Sequence, residues 1–171
     1  MKYLLGIMLF ICVGTSQVYT VVNSTLTLEA RASVAGIEDE FDATGTGLTG
    51  EIDLNKKTFE LRYDLWDLDT GIELRNDHMH ENHLETEEYP EAIFKGNILS
   101  SSGNEWHIEG TFRLHGVENP LAITVEKSGN QFTAEWKLNL TDYEIEVPRK
   151  FLFAKLSEIL SLNLVFEIEE K

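Results

Sequence analysis

Nine residues near the end of the chain carry the plainest structural signal: Leu160-Ser161-Leu162-Asn163-Leu164-Val165-Phe166-Glu167-Ile168. A leucine, phenylalanine or isoleucine stands at every second position, and the residues between are mostly polar. Because successive side chains of a β-strand point to opposite faces, this pattern predicts a strand that buries one face and exposes the other. A sheet with one apolar face is therefore the predicted framework.

The same alternation recurs in earlier segments, with polar residues such as Glu60, Arg62 and Glu109 on the opposite face. The apolar rows are Leu26, Leu28, Ala30, Ala32 and Val34, then Phe59, Leu61, Tyr63 and Leu65, then Trp106, Ile108, Phe112 and Leu114, then Phe132, Ala134, Trp136, Leu138 and Leu140. Turn-forming residues at 55–57, 101–104 and 128–130 separate neighbouring segments. That spacing predicts hairpins and an antiparallel sheet.

The segments amount to about eight strands, a number that closes into a barrel able to hold one small ligand. We therefore predict an all-β fold, an antiparallel lipocalin-like barrel with a short helical loop. A two-sheet sandwich fits the same alternation equally well. Gly45, Gly47 and Gly50 predict a bulge in the second segment. Residues 75–88 are polar and predict the helical loop, and Pro148 predicts a second helical turn over residues 148–157.

Length, net charge and the pattern of the first residues limit the classes of function that the chain can have. The chain has 171 residues and a formal net charge of −16, which suits one domain and disfavours nucleic-acid binding. Residues 1–16 resemble a secretory signal peptide, with Lys2, an apolar run at 4–13 and small residues at 14–16. An uncleaved anchor is the alternative. Cleavage would remove Cys12, the single cysteine, and would leave residues 17–171 as one domain that is not an integral membrane protein.

Three ordered motifs occupy the middle of the chain. They lie at residues 74–96, with His78 and Tyr89-Pro90, at residues 110–120, with Leu114-His115-Gly116-Val117, and at residues 141–145, with Asp142-Tyr143. These motifs resemble the signatures of the YceI-like family. The third departs from the pattern, because it lacks the usual arginine before Asp142 and has Glu144 in place of a glycine.

The resemblance implies a secreted or periplasmic barrel whose interior holds an isoprenoid or another amphiphilic lipid. The inward row could equally form a packed core on the alternation alone, whereas the resemblance favours a cavity. The predicted cavity residues are Phe59, Leu61, Tyr63, Phe94, Phe112, Phe132, Trp136, Leu162, Leu164 and Phe166. The residues predicted to meet the polar head at the rim are Arg75, His78, Arg113 and Tyr143. A homodimer is compatible with the sequence.

Histidines suggest the main alternative. His78, His80 and His83 could make residues 75–88 a metal-binding or stress-response module, although no cysteine assists and the spacing is not that of a standard site. The other interpretation is a solvated polar loop. For His115 we predict a hydrogen bond to the backbone at a strand end. No nucleophile motif or phosphate-binding glycine loop occurs, so we expect a binding protein without a cofactor and not an enzyme.

Overall fold

The computed structural model describes residues 17–34, 37–146 and 154–171. The predicted signal peptide at residues 1–16 and the first six residues of the predicted turn at 148–157 lie outside this part of the chain. The last part of that turn is wrong as a helix, because Ala154–Leu156 pairs as a strand with the end of the first strand.

Ten strands make up most of the described chain. They are β1 (Val18–Val34), β2 (Ile37–Gly45), β3 (Leu48–Asp53), β4 (Thr58–Asp64), β5 (Glu91–Ser102), β6 (Glu105–Leu114), β7 (Val117–Ser128), β8 (Gln131–Asn139), β9 (Ala154–Leu156) and β10 (Ile159–Glu170). The helical segments are a 3₁₀ turn at Leu65–Asp67, helix α1 at Glu73–Asp77, a π-helical turn at His78–His83 and a 3₁₀ turn at Leu140–Tyr143. The short helix predicted within residues 75–88 is therefore confirmed, with its start two residues earlier.

The sheet closes on itself. Strands β10, β8, β7, β6, β5, β4, β3 and β1 are neighbours in that order, and β10 also pairs with β1. Every pairing is antiparallel, so the predicted eight-stranded antiparallel barrel is confirmed. The sandwich alternative is excluded because the first and last strands of the ring are joined by a register that runs from Tyr19–Glu170 to Glu29–Ser161.

β1 is longer than its neighbours and has two partners on one edge. Its first residues pair with β3, and the stretch from Leu26 onward pairs with β2. The break between β2 and β3 falls at Thr46 and Gly47, within the glycine-rich segment predicted to interrupt the strand. The Thr46 N–H donates to the Asp67 carboxylate, so the break is tied to the segment that follows β4.

The two ends of the barrel differ. The tight turns β3–β4, β5–β6 and β7–β8 share one end, as antiparallel neighbours require. Phe59, Phe132 and Ile168 fill this end, where Phe132 stacks on Phe166 with ring centroids 5.2 Å apart. The long β4–β5 connection, residues 65–90, crosses the other end, and we call it the cap. Residues 140–146 lie at the same end as the cap.

Candidate functional site

The barrel encloses a cavity of about 340 Å³ between the filled end and the cap. Eight of the ten residues predicted to line it do so: Leu61, Tyr63, Phe94, Phe112, Trp136, Leu162, Leu164 and Phe166. These side chains share the inward face of their strands because strand residues alternate between the two faces of a sheet. The inward row therefore encloses space in this part of the barrel instead of filling it.

Two predicted lining residues lie elsewhere in the core. Phe59 and Phe132 are buried but do not border the cavity. Phe59 stands at the start of β4 and packs edge-on against Phe94, with ring centroids 4.8 Å apart. Phe132 stands at the start of β8, between Phe166 and Trp106. Alternation assigns both rings correctly to the interior, but their height along the barrel places them in the filled end.

The cap contributes apolar side chains that the sequence analysis missed. Leu65, Leu68, Met79 and Leu84 line the cavity from the cap, and Leu140 and Ile145 line it from residues 140–146. Leu65 and Leu140 end two of the predicted apolar rows, whereas the signal for Leu68, Met79 and Leu84 is the recurrence of isolated apolar residues within an otherwise polar loop. These side chains make the cavity lining apolar on the cap side as well as along the wall.

Hydrogen bonds hold the first half of the cap in place. Asp69 pairs with Thr44 of β2 through two backbone hydrogen bonds of 2.8 Å. The Asp69 carboxylate accepts from Asn76 Nδ2 and from the Gly71 N–H, both at 2.7 Å, and the Asn76 bond is the main cause of a lowered Asp69 pKa. Helix α1 is thereby fixed at the edge of β2, although it is too short to be stable alone.

His80 anchors the second half of the cap. This residue is buried, its Nε2 lies 3.1 Å from the Leu68 carbonyl, and its ring stacks on Trp66 with centroids 5.1 Å apart. Thr86 is fully buried and donates to the His80 carbonyl. His80 is thus a structural residue of the cap.

Polar side chains gather at one part of the cavity lining, which we call the mouth: Thr70, Arg75, His78, His83 and Glu146. The Arg75 guanidinium lies over the Phe41 ring, 4.4 Å from its centroid, and has no carboxylate partner among the described residues. The aromatic face attracts the cation without using its N–H groups as donors to an oxygen. Arg75 and His78 thus line the mouth, and their contact with a polar head stays a prediction.

His83 is the second histidine of the mouth and was not among the predicted head-group residues. Its Nδ1 lies 3.2 Å from the Glu146 carbonyl oxygen, which joins the π-helical turn to residues 140–146. Burial lowers the His83 pKa, and repulsion from His78 lowers it further, against the opposing effect of the Glu146 hydrogen bond. His83 is accordingly held as the neutral imidazole more firmly than an exposed histidine.

The other two predicted rim residues are not at the mouth. Arg113 is exposed on the outer wall, where it borders a shallow pocket of about 90 Å³ with Arg62, Lys95 and Glu118. Its strand neighbours Phe112 and Leu114 point inward, so Arg113 must point outward. Tyr143 is buried beside Phe112, with ring centroids 5.6 Å apart, and does not border the cavity. Burial raises the Tyr143 pKa, and the neighbouring Asp142 adds to the effect.

The three cap histidines do not converge on one point. His80 contacts the Leu68 carbonyl inside the cap, and His83 contacts the Glu146 carbonyl. His78 is exposed at the mouth. Among the residues that the structure describes, no group of three histidine, cysteine or acidic side chains is placed to hold a metal ion. The metal-binding alternative is not favoured. The predicted backbone hydrogen bond of His115 is confirmed, since its Nδ1 lies 3.2 Å from the Tyr143 carbonyl.

Known proteins share the sequence pattern and the fold of this chain. The sequence profile of the YceI-like domain matches residues 19–168, most of the chain. The chain belongs to the YceI-like family. No curated protein matches it at a significant level. Within the described residues of this YceI-like chain, none of the helices has the length and apolar character needed to cross a membrane.

Solved structures share the YceI-like barrel. A polyisoprenoid binding domain from Saccharophagus degradans, implicated in plant cell wall breakdown, is 20% identical, with a TM-score of 0.70 over 90% of this chain and 98% of that chain. Burkholderia cenocepacia BcnA is 13% identical, with a TM-score of 0.61 over 83% and 96%. The YceI protein of Campylobacter jejuni is 15% identical, with a TM-score of 0.56 over 72% and 80%. At these identities the likeness establishes the fold.

Proposed function

We propose that this YceI-like protein binds an amphiphilic lipid of isoprenoid type, with the hydrocarbon chain in the barrel and the polar head at the mouth. The observation that carries the proposal is the cavity of about 340 Å³, which has mainly apolar walls and a group of polar side chains at the mouth. Pockets for small ligands have volumes of roughly 300–1,000 Å³. The similar structure from Saccharophagus degradans, described as a polyisoprenoid binding domain, supports the same ligand class.

The hydrophobic effect supplies the affinity for the chain. Each methylene transferred from water into the cavity contributes about 0.8 kcal/mol, so an extended hydrocarbon chain binds without polar contacts along its length. Aromatic side chains such as Phe94, Phe112 and Trp136 give the wall a rigid surface. The cavity therefore suits a linear or methyl-branched chain, and selectivity must come from its shape and from the mouth.

The mouth supplies contacts to the head group. Arg75 has unpaired N–H groups there. His78 follows three residues later in the chain, is exposed and also lines the mouth. A guanidinium binds carboxylate or phosphate oxygens through paired hydrogen bonds. These residues could therefore hold the oxygen atoms of a lipid head while the chain lies below the cap.

We further propose that the protein works outside the cytoplasm, in the periplasm or as a secreted protein, and that it binds its ligand without chemical conversion. The secretory pattern of residues 1–16 supports the location. The apolar lining, which offers no nucleophile paired with a general base, supports binding over catalysis.

The direct test is to purify the protein, extract it with organic solvent and analyse the extract by mass spectrometry, alongside a titration with a lipophilic fluorescent dye. We expect a co-purified amphiphile and saturable dye binding. Ala134→Phe should fill the cavity and reduce dye affinity at least about tenfold, because a buried alanine of the lining becomes an aromatic ring. The matched control is Ala122→Phe, which adds the same ring at an exposed position of β7. Wild-type protein that binds neither lipid nor dye would overturn the proposal.

A further inference from the structure

The tautomer of His83 follows from its partner. Nδ1 lies 3.2 Å from the Glu146 carbonyl oxygen, and a carbonyl oxygen can only accept a hydrogen bond. The Nδ1 atom must therefore carry the hydrogen and donate it. In the neutral ring the other nitrogen, Nε2, then presents a lone pair and can only accept.

The surroundings favour that neutral ring. Burial and the nearby His78 both lower the His83 pKa. Nε2 has no hydrogen-bond partner among residues 17–34, 37–146 and 154–171, and it is not one of the fully enclosed unpaired polar atoms. Because His83 lines the cavity, a bound molecule can supply the missing donor.

The other polar groups of the lining differ from His83 in what they offer a ligand. Arg75 has only donors. The Thr70 hydroxyl donates to Asn76 Oδ1 at 2.7 Å and the Tyr63 hydroxyl lies 3.4 Å from the Asp67 carboxylate, so protein partners hold both hydroxyls, although their oxygens keep lone pairs. His78 also lines the mouth and is exposed to water. Glu146 reaches the mouth but is exposed, so water solvates its carboxylate. Among these acceptors, His83 Nε2 belongs to a half-buried ring whose tautomer is fixed by the Glu146 carbonyl.

We propose that His83 Nε2 accepts a hydrogen bond from the ligand, so that the cavity selects amphiphiles whose polar head is itself a donor, such as a hydroxyl or a primary amide. This inference rests on the proposed lipid-binding function and adds a specificity-determining residue to it. Leaving one partner of such a hydrogen bond unpaired lowers affinity by about tenfold. Among uncharged heads of similar size, aprotic ones should therefore bind about tenfold more weakly than protic ones.

The test compares tetradecanol with tetradecyl methyl ether in displacing the bound dye. The two ligands share the chain and the oxygen acceptor, and a methyl group replaces the hydroxyl hydrogen in the ether, so the donated bond is read from how the affinity ratio changes in variants of His83. We expect the wild-type protein to prefer the alcohol by about tenfold. His83→Asn should abolish the preference by weakening alcohol binding alone, because the Asn amide can still donate to the Glu146 carbonyl while the Nε2 acceptor is lost.

Two further variants keep the test decisive. His83→Gln places an amide oxygen near the position of Nε2 and should restore part of the preference. His107→Asn, an exposed histidine on the outer wall, should leave it unchanged. Equal affinities in the wild type, failure of the alcohol to displace the dye, or an unaltered preference in a folded His83→Asn protein would overturn the role of His83. Absence of dye binding by the wild type would instead overturn the lipid-binding function itself.

Discussion

His115 lies 2.8 Å from Glu85, measured from Nε2 of the imidazole to Oε2 of the carboxylate. The other ring nitrogen faces the Tyr143 carbonyl, and the ring also packs against Tyr89 of the cap with centroids 4.5 Å apart. One side chain in the β6–β7 turn therefore joins the cap to residues 140–146. It fastens the second half of the cap, through Glu85 and Tyr89.

Removing this connection should destabilise the cap. His115 adopts a left-handed conformation with φ of 51°, which asparagine tolerates well, so His115→Asn keeps the turn while losing reach to Glu85. We expect the free energy of unfolding to fall by about 1–3 kcal/mol, the cost of losing such hydrogen bonds. Urea denaturation measures it, with His107→Asn as the control. Equal stabilities of the His115→Asn and wild-type proteins would contradict the role assigned to His115.

Because Arg75 lies at the mouth and Arg113 on the outer wall, substitution by glutamine should affect ligand binding at Arg75 and not at Arg113. Arg75→Gln should weaken binding of farnesyl phosphate by about tenfold and leave farnesol nearly unaffected, because a charge-assisted hydrogen bond is lost at the mouth. Arg113→Gln should change neither affinity, since Arg113 is on the outer wall. Dye displacement by both ligands measures this. A larger loss for Arg113→Gln than for Arg75→Gln would place the head group elsewhere.

Gly50 should resist substitution more than an open glycine does. A Cβ there would lie 2.2 Å from the Glu60 carbonyl oxygen, on backbone with φ of +143°. Gly103 also has a positive φ, +59°, but its Cβ would meet nothing within 4 Å. We expect Gly103→Ala to cost about 1 kcal/mol and Gly50→Ala to cost at least about 3 kcal/mol, because backbone must shift as well. Thermal unfolding of the two variants makes the comparison, and equal costs would show that β3 and β4 can move apart freely.

His83 predicts a specific acid sensitivity. Its folded-state pKa is below the ordinary value of 6.5, so the unfolded chain takes up the proton first as the pH falls. Protonation of His83 therefore has no effect on the free energy of unfolding above pH 6.5. It lowers that free energy progressively as the pH falls through 6.5 towards the folded-state pKa. Urea denaturation in neutral and mildly acidic buffers should show a smaller loss for His83→Asn than for the wild type. A larger loss of stability on acidification in the variant than in the wild type would contradict the expected direction of the effect.

Much of this molecule follows from local pattern. Alternation of apolar and polar residues places Phe94, Phe112 and Leu164 on the inward face, because successive strand residues always point to opposite sides of a sheet. Turn residues at 101–104 and 128–130 define the hairpins of β5–β6 and β7–β8 for an equally local reason. The same alternation sets Arg113 opposite Phe112, so its place on the outer wall was readable from the sequence.

Pairing between residues far apart in the sequence determines the closed barrel, the cavity and the mouth. The join between β1 and β10 links residues near opposite ends of the chain, and that closure turns an apolar face into an enclosed interior. Height along the barrel then separates Phe59 and Phe132, which fill one end, from Leu61 and Trp136, which border the cavity. His83 meets Glu146 across 63 positions of sequence. Alternation repeats every two residues and carries no information on height or closure, so strands and their faces can be predicted residue by residue, whereas the cavity and its mouth exist only once the barrel has closed.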